Sequence, residues 1–298
     1  MMTRNTATSI GFSAVVLWAL LALFTVASAP VPPLLLNALC FGIGGLVGLV
    51  WLLFSGGLAQ LRGVPMSVYI FGTVGLFGYH FLYFSALRLA PPAEAGLIAY
   101  LWPLLIVVFS GLLPGEKLRP GHLAGAVMAF AGAALIIGSG AGALEGARAG
   151  YALALLAALT WSGYSLLSRR LGHVPTGAVA VFCLASALLA GLAHLLLETP
   201  HWPEGALGWG AVLARGLGPV GLAFFTWDIG VKRGDIQLLG TASYAAPLLS
   251  TLVLVVAGVA QATPLLAASA ALITGGAVLA ARAGRQSVKQ EVRQSKDG

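Results

Sequence analysis

Ten apolar runs, at 9–28, 33–54, 66–87, 94–113, 121–138, 150–168, 176–197, 209–230, 236–259 and 264–282, follow one another with only short connections between them. Each approaches the roughly 17–25 residues that a helix needs to cross about 30 Å of hydrocarbon. A backbone at that depth must satisfy its own hydrogen bonds, and the alternation of barrel strands is absent, so the runs read as helices. The expected fold class is an all-α membrane protein of ten transmembrane helices. Composition agrees: 8% of residues are charged and 59% hydrophobic, where a soluble domain carries roughly 25% charged residues.

The runs are written twice. Gly96-Leu-Ile-Ala-Tyr100-Leu-Trp102-Pro103-Leu-Leu105 matches Gly240-Thr-Ala-Ser243-Tyr244-Ala-Ala-Pro247-Leu-Leu249, 144 positions later. The same register sets Pro120 over Pro264, Gly132 over Gly276, Arg88 over Lys232 and Tyr83 over Trp227, while a shift of 143 sets Trp18 over Trp161 and Cys40 over Cys183. This spacing predicts a first five-helix repeat at 1–143, a second at 144–282 and a charged cytoplasmic tail at 283–298. Five crossings are an odd number, so the second copy enters the bilayer upside down relative to the first. Two inverted repeats around a central cavity are the architecture of secondary transporters, whose substrates sit near the midplane at the seam.

The net charge of +7 is best read by location. With the N-terminus in the cytoplasm, that side holds thirteen of the sixteen Lys and Arg residues, the other side holds Arg88 and Arg148, and Arg215 falls inside a span. Such asymmetry places both termini in the cytoplasm and accounts for the charge without a nucleic-acid partner. The run after Arg4 ends in Ala27-Ser28-Ala29, which fits a signal cleavage site. It is too long for a typical signal core and has a counterpart around Trp161, so it reads as the first span. The two cysteines lie in apolar helices with no metal spacing and read as small packing residues.

Polar and aromatic residues inside the spans mark the candidate site. Gly96, Ala99, Tyr100 and Pro103 share one helix stripe, and Gly240, Ser243, Tyr244 and Pro247 share the equivalent one. Proline has no N–H for the carbonyl four residues earlier, so Pro103 and Pro247 are expected kinks that free the oxygens of Ala99 and Ser243. Tyr79, His80 and Tyr83 crowd one arc of the third span, and Trp161, Tyr164, Ser165 and Ser168 one face of the sixth. A histidine at membrane depth is a functional candidate by default. Trp18, Trp102, Trp161 and Trp227 sit deeper and cannot all be interfacial anchors. A pocket walled by Trp, Tyr and His suits a flat aromatic ligand, with a cation held over a ring.

Missing residues exclude other chemistries. No Asp or Glu falls at the centre of a span, which disfavours the buried carboxylate of a proton-driven cation exporter. Arg215 is the one deep permanent charge; it either snorkels outward or attracts a substrate carboxylate. No nucleophile–base pair, phosphate loop, cofactor motif or metal cluster is legible, and the chain does not read as an enzyme. The Gly216-Leu-Gly218-Pro-Val-Gly221 match to a dinucleotide fingerprint lies in an apolar helix with no strand before it.

The five-plus-five layout, the prolines opening the last span of each half and the loop Pro114-Gly-Glu116-Lys117-Leu-Arg119-Pro120 resemble the drug/metabolite transporter superfamily in its EamA-type domains. Within it the chain is similar to the aromatic amino acid exporter (YddG-type) branch. The resemblance covers about residues 10–282 and implies a bacterial inner-membrane exporter whose cavity is bounded by spans 3, 4, 8 and 9, helped by 1 and 6. Carried over by position, it implies a substrate site lined by Tyr79, His80, Tyr83, Tyr100, Trp102, Trp161, Tyr164, Ser243 and Tyr244. The expected function is export of small metabolites, foremost aromatic and other neutral amino acids, by alternating access, with membrane lipids as a further partner and the oligomeric state left open. A purine, vitamin-like compound or sugar derivative is the alternative cargo, and a membrane enzyme or sensor the alternative class.

Overall fold

The computed structural model describes residues 2–137, 147–258 and 261–294, apart from the side chains at 93, 136, 137 and 285–294. Among the described residues every regular element is helical. In chain order the α-helices are α1 (Arg4–Trp18), α2 (Leu21–Ala27), α3 (Pro33–Phe54), α4 (Met66–Thr73), α5 (Tyr79–Leu89), α6 (Pro92–Ala99), α7 (Trp102–Ser110) and α8 (Pro120–Ile137). They continue as α9 (Arg148–Arg170), α10 (Ala178–Leu197), α11 (Gly205–Leu217), α12 (Ala223–Arg233), α13 (Ile236–Ala242), α14 (Ala245–Val256) and α15 (Pro264–Gln294). Eight continuous or joined helices are long and apolar enough to cross a membrane, and Glu94–Ser110 and Pro120–Leu135 are shorter apolar helices. This is a multi-pass membrane protein. The expected boundary at 143/144 lies outside the described residues, as do 295–298 of the expected tail. Helix α15 runs through the tail boundary at 282/283 to Gln294, so no break in secondary structure falls there.

Five of the apolar segments are interrupted rather than straight. Two π-helical turns, 74–78 between α4 and α5 and 218–222 between α11 and α12, lie 144 positions apart. In the second, Pro219 cannot complete the helical ladder, and the backbone widens by one residue. Two further breaks fall at Tyr100–Leu101, just before Pro103, and at Ser243–Tyr244, just before Pro247. The fifth separates α1 from α2 at Ala19–Leu20. The carbonyl of Ser243, expected to be left free, accepts the Ala246 N–H at 3.0 Å because the chain tightens there into a three-residue turn.

Helices before residue 138 pack pairwise on helices after residue 147: α1 on α12, α3 on α10 and α11, α5 on α9, and α8 on α15. Lipid gives no hydrophobic drive for such pairing, so close backbone approach has to supply it. A Cβ on Gly125 would stand 2.5 Å from the Gly276 carbonyl oxygen, and one on Gly276 would stand 2.4 Å from that of Gly125. Only glycine fits either position. Where α3 crosses the second π turn, a Cβ on Gly221 would lie 2.3 Å from the Gly216 oxygen and 3.2 Å from the Gly44 Cα. The largest buried cluster includes Phe41, Trp102, Trp161, Phe224 and Trp227, with the partly buried Trp18 packed against it.

Candidate functional site

The interruptions converge on one aromatic-walled cavity. Trp18 ends α1, Trp102 begins α7 and Trp161 projects from α9; their rings meet nearly edge-on, Trp18 to Trp161 at 5.7 Å, Trp18 to Trp102 at 6.2 Å and Trp102 to Trp161 at 6.2 Å. Trp227 backs this floor 5.1 Å from Trp18, fully buried, its indole N–H donating to Ser165 Oγ at 3.1 Å. Above the floor, the Tyr79 ring lies 5.3 Å from Trp161 and stacks on Tyr83 at 6.0 Å, while Phe41 carries His80 edge-on at 5.1 Å and Phe224 stacked at 5.5 Å. Edge-to-face contacts like these lock each ring and leave its remaining face to a ligand.

Both π turns position a wall residue. A π turn displaces carbonyls from the regular ladder. The Trp18 indole N–H donates to the Pro219 carbonyl at 3.1 Å, inside the second turn, and His80 Nδ1 lies 2.7 Å from the Leu76 carbonyl, inside the first. A carbonyl only accepts, so Nδ1 carries the hydrogen and in the neutral ring Nε2 is left as an acceptor.

The cavity has two parts. An inner recess of about 90 Å³ is lined by Trp18, Tyr79, His80, Tyr100, Trp102 and Trp161, with Phe224 and Ala246. It shares its Tyr79, His80 and Tyr100 walls with an outer chamber of about 570 Å³ that adds Tyr83, Thr25, Arg215, Pro247, Ser250 and Thr251. This is within the range of roughly 300–1,000 Å³ that holds small-molecule ligands. The chamber reaches the surface beside Val26, which is 59% exposed.

The opposite end is bridged by ions. Arg4 lies 3.3 Å from Glu116 and 3.4 Å from Asp235. Arg169 also pairs with Glu116 and donates to the carbonyls of Val231 at 3.0 Å and Gly234 at 2.8 Å. Asp228, buried beneath, takes Lys232 at 2.9 Å and the Thr176 hydroxyl at 2.7 Å. On the chamber side, buried Glu198 accepts from the Leu34 and Leu35 N–H groups at the start of α3, and also meets Arg88 at 2.5 Å and His194 at 3.0 Å.

Of the residues expected from the sequence, Tyr79, His80, Tyr83, Tyr100, Trp102 and Trp161 meet at the cavity, with Pro247 on its outer wall. Three do not line it. Tyr164 is buried, stacked on Phe71 at 5.6 Å and filling the space a Cβ on Gly75 would take. Ser243 is buried and donates to the Leu239 carbonyl at 2.7 Å. Tyr244 is buried, and its hydroxyl accepts the Leu104 N–H at 3.0 Å. That N–H is one of the donors left without an intrahelical partner when α7 starts afresh at Trp102. Pro103 is buried in the same turn. The sequence reading missed Leu21, Phe224, Thr25 and Ser250 and left Trp18 unplaced. The repeat held a signal for two of them, since Phe224 stands 144 after His80 and Trp18 stands 143 before Trp161. Among the described residues no three His, Cys, Asp or Glu side chains gather to hold a metal.

Comparison with known proteins gives this geometry a family context. The EamA-like transporter family matches the chain twice, at residues 6–138 and 148–282. A relative from Ancylobacter novellus named aromatic amino acid exporter YddG is 57% identical over 283 residues, covering 94% of this chain and 98% of its own. Another of that name, from Salmonella typhimurium, is 27% identical over 267 residues, covering 84% of this chain and 88% of its own. A solved crystal structure 56% identical in sequence superposes with a TM-score of 0.90, covering 95% of this chain and all of that one.

Proposed function

The chain belongs to the EamA-like transporter family, and from that premise we propose that it exports aromatic and other neutral amino acids across the bacterial inner membrane by alternating access. The observation that carries the cargo class is the recess framed by Trp18, Trp102 and Trp161, with Tyr79, His80 and Tyr100 on its walls. Ring faces of this kind hold a side chain such as indole by offset and edge contacts. The names of the relatives from Ancylobacter and Salmonella support the same cargo. We assign the ammonium group to the acceptor nitrogen of His80 and the hydroxyls of Tyr79, Tyr83 and Tyr100.

In this reading all ten apolar segments cross the bilayer, both termini are cytoplasmic, and the halves are inverted copies. The π turns and helix breaks that recur at the sequence period support it. The ion-bridged end is then the cytoplasmic gate and the chamber mouth faces outward, giving an outward-facing state. Exchange of roles between the halves would open the other side. It would then bring Tyr164, Ser243 and Tyr244, the counterparts of Leu21, Ala99 and Tyr100, toward an inward cavity. Uptake of labelled Trp, Phe and Tyr into proteoliposomes, with and without a pH gradient, tests the proposal. Rates above empty liposomes that fall with His80→Ala are expected, whereas rates equal to empty liposomes would remove the cargo assignment.

A further inference from the structure

We infer that Arg215, held against Thr25 in the wall of the outer chamber, is the residue that binds the substrate carboxylate. The inference rests on the amino-acid reading above and adds the group that distinguishes an amino acid from an aromatic amine.

Arg215 occupies the last turn of α11, is 6% exposed, and borders the same chamber as Tyr79, His80 and Tyr100. One Nη1 hydrogen goes to the Thr25 hydroxyl. Thr25 donates its own proton to the Leu21 carbonyl at 2.6 Å, so it can only accept from Arg215. The Arg215 Nε is buried with no hydrogen-bond partner among the described residues. Nor does any described carboxylate lie within ion-pair distance of the guanidinium. The buried acids are engaged elsewhere, Glu198 at the start of α3 and Asp228 with Lys232 and Thr176.

A guanidinium stays charged and presents five donors in a planar fork. Left desolvated without a counter-ion it is unfavourable, and a chain selected only for stability would have an apolar side chain here. An anion entering the chamber supplies what the site lacks, and a carboxylate matches the fork with two parallel bonds. An amino acid would then lie with its ring on the tryptophan floor and its carboxylate toward Arg215. The same positive charge repels a ligand that carries an ammonium and no carboxylate, such as tryptamine.

The test is ligand-dependent thermal stabilisation of the purified full-length transporter, followed by competition against tryptophan uptake. Tryptophan and indole-3-propionate are expected to raise the melting temperature, and tryptamine and tryptophan methyl ester to require at least tenfold higher concentration. Arg215→Gln should weaken the carboxylate ligands at least tenfold while tightening tryptamine, which the lost charge no longer repels, with Arg215→Lys close to the parent for tryptamine and in between for the carboxylates. Equal binding of acid, ester and amine by the unmodified protein would overturn the inference, and that series needs no variant to fold. An unchanged affinity for tryptophan in Arg215→Gln would overturn it as well. If tryptophan uptake matched empty liposomes, the export reading would fail. The carboxylate preference and its dependence on Arg215 would still decide this inference separately.

Discussion

Replacing Tyr244 with Phe removes one oxygen and keeps the ring that packs against Phe130 at 5.8 Å. The oxygen accepts the Leu104 N–H at 3.0 Å inside a fully buried environment, so Tyr244→Phe leaves a backbone donor unpaired at the start of α7. A buried unsatisfied donor costs about 1–3 kcal/mol. At about 2–4 °C per kcal/mol for chains of roughly 150–250 residues, that is a fall of roughly 2–12 °C in melting temperature. Tyr100, its repeat counterpart, lines the cavity instead. Tyr100→Phe should therefore keep the parent melting temperature within about 2 °C, as for a change away from buried networks, and raise the KM for tryptophan. Fluorescence-detected size exclusion after heating, with uptake in proteoliposomes, separates the two. A Tyr244→Phe protein as stable as its parent but with raised KM would refute the division of labour between the two tyrosines.

Three further outcomes follow from the packing and the gates. Glu198→Ala removes the carboxylate that caps α3 and meets Arg88 and His194. Loss of a cap together with charge-assisted bonds should destabilise by about 2–4 kcal/mol in thermal melts, and Glu198→Gln by less because its amide oxygen still caps; equal melting of all three proteins would contradict this. Gly221→Ala forces a Cβ to 2.3 Å from the Gly216 oxygen and should cost about 1–3 kcal/mol by overpacking, whereas Gly163→Ala meets nothing within 4 Å and should be neutral or stabilising. Glu116→Gln weakens the bridge between Arg4 and Arg169. It should raise maleimide labelling of a Ser168→Cys reporter from the cytoplasmic side, and an unaltered rate would mean that this network is not a gate.

Much of the fold is legible because the bilayer is an unforgiving solvent. Apolar length marks the eight segments long enough to cross, and proline marks two breaks, since α7 and α14 restart just before Pro103 and Pro247. The π turns were not legible. Pro219 breaks the ladder between Gly216 and Gly221, but that it yields a π turn rather than a kink shows only in its carbonyl's bond to Trp18 and the packing of Gly221 against α3. At the site, inward-facing aromatic arcs identified six wall residues. The repeat alone does not tell where Tyr244 and Ser243 sit in this conformation: equivalent positions face equivalent surroundings only if both halves adopt one conformation. Here Tyr100 meets the cavity and Tyr244 caps α7. Phe224 was hidden because no polarity marks it; its tie to His80 through the 144-residue register was the available signal.

The most direct test of the cavity as the amino-acid path uses Ser250→Cys, a reporter on the outer chamber wall, in a protein whose own Cys40 and Cys183 are fully buried. Membrane-impermeant maleimide added on the face opposite the termini is expected to label Ser250→Cys, and saturating tryptophan to slow that labelling severalfold. Labelling at the same rate with and without tryptophan would contradict the account.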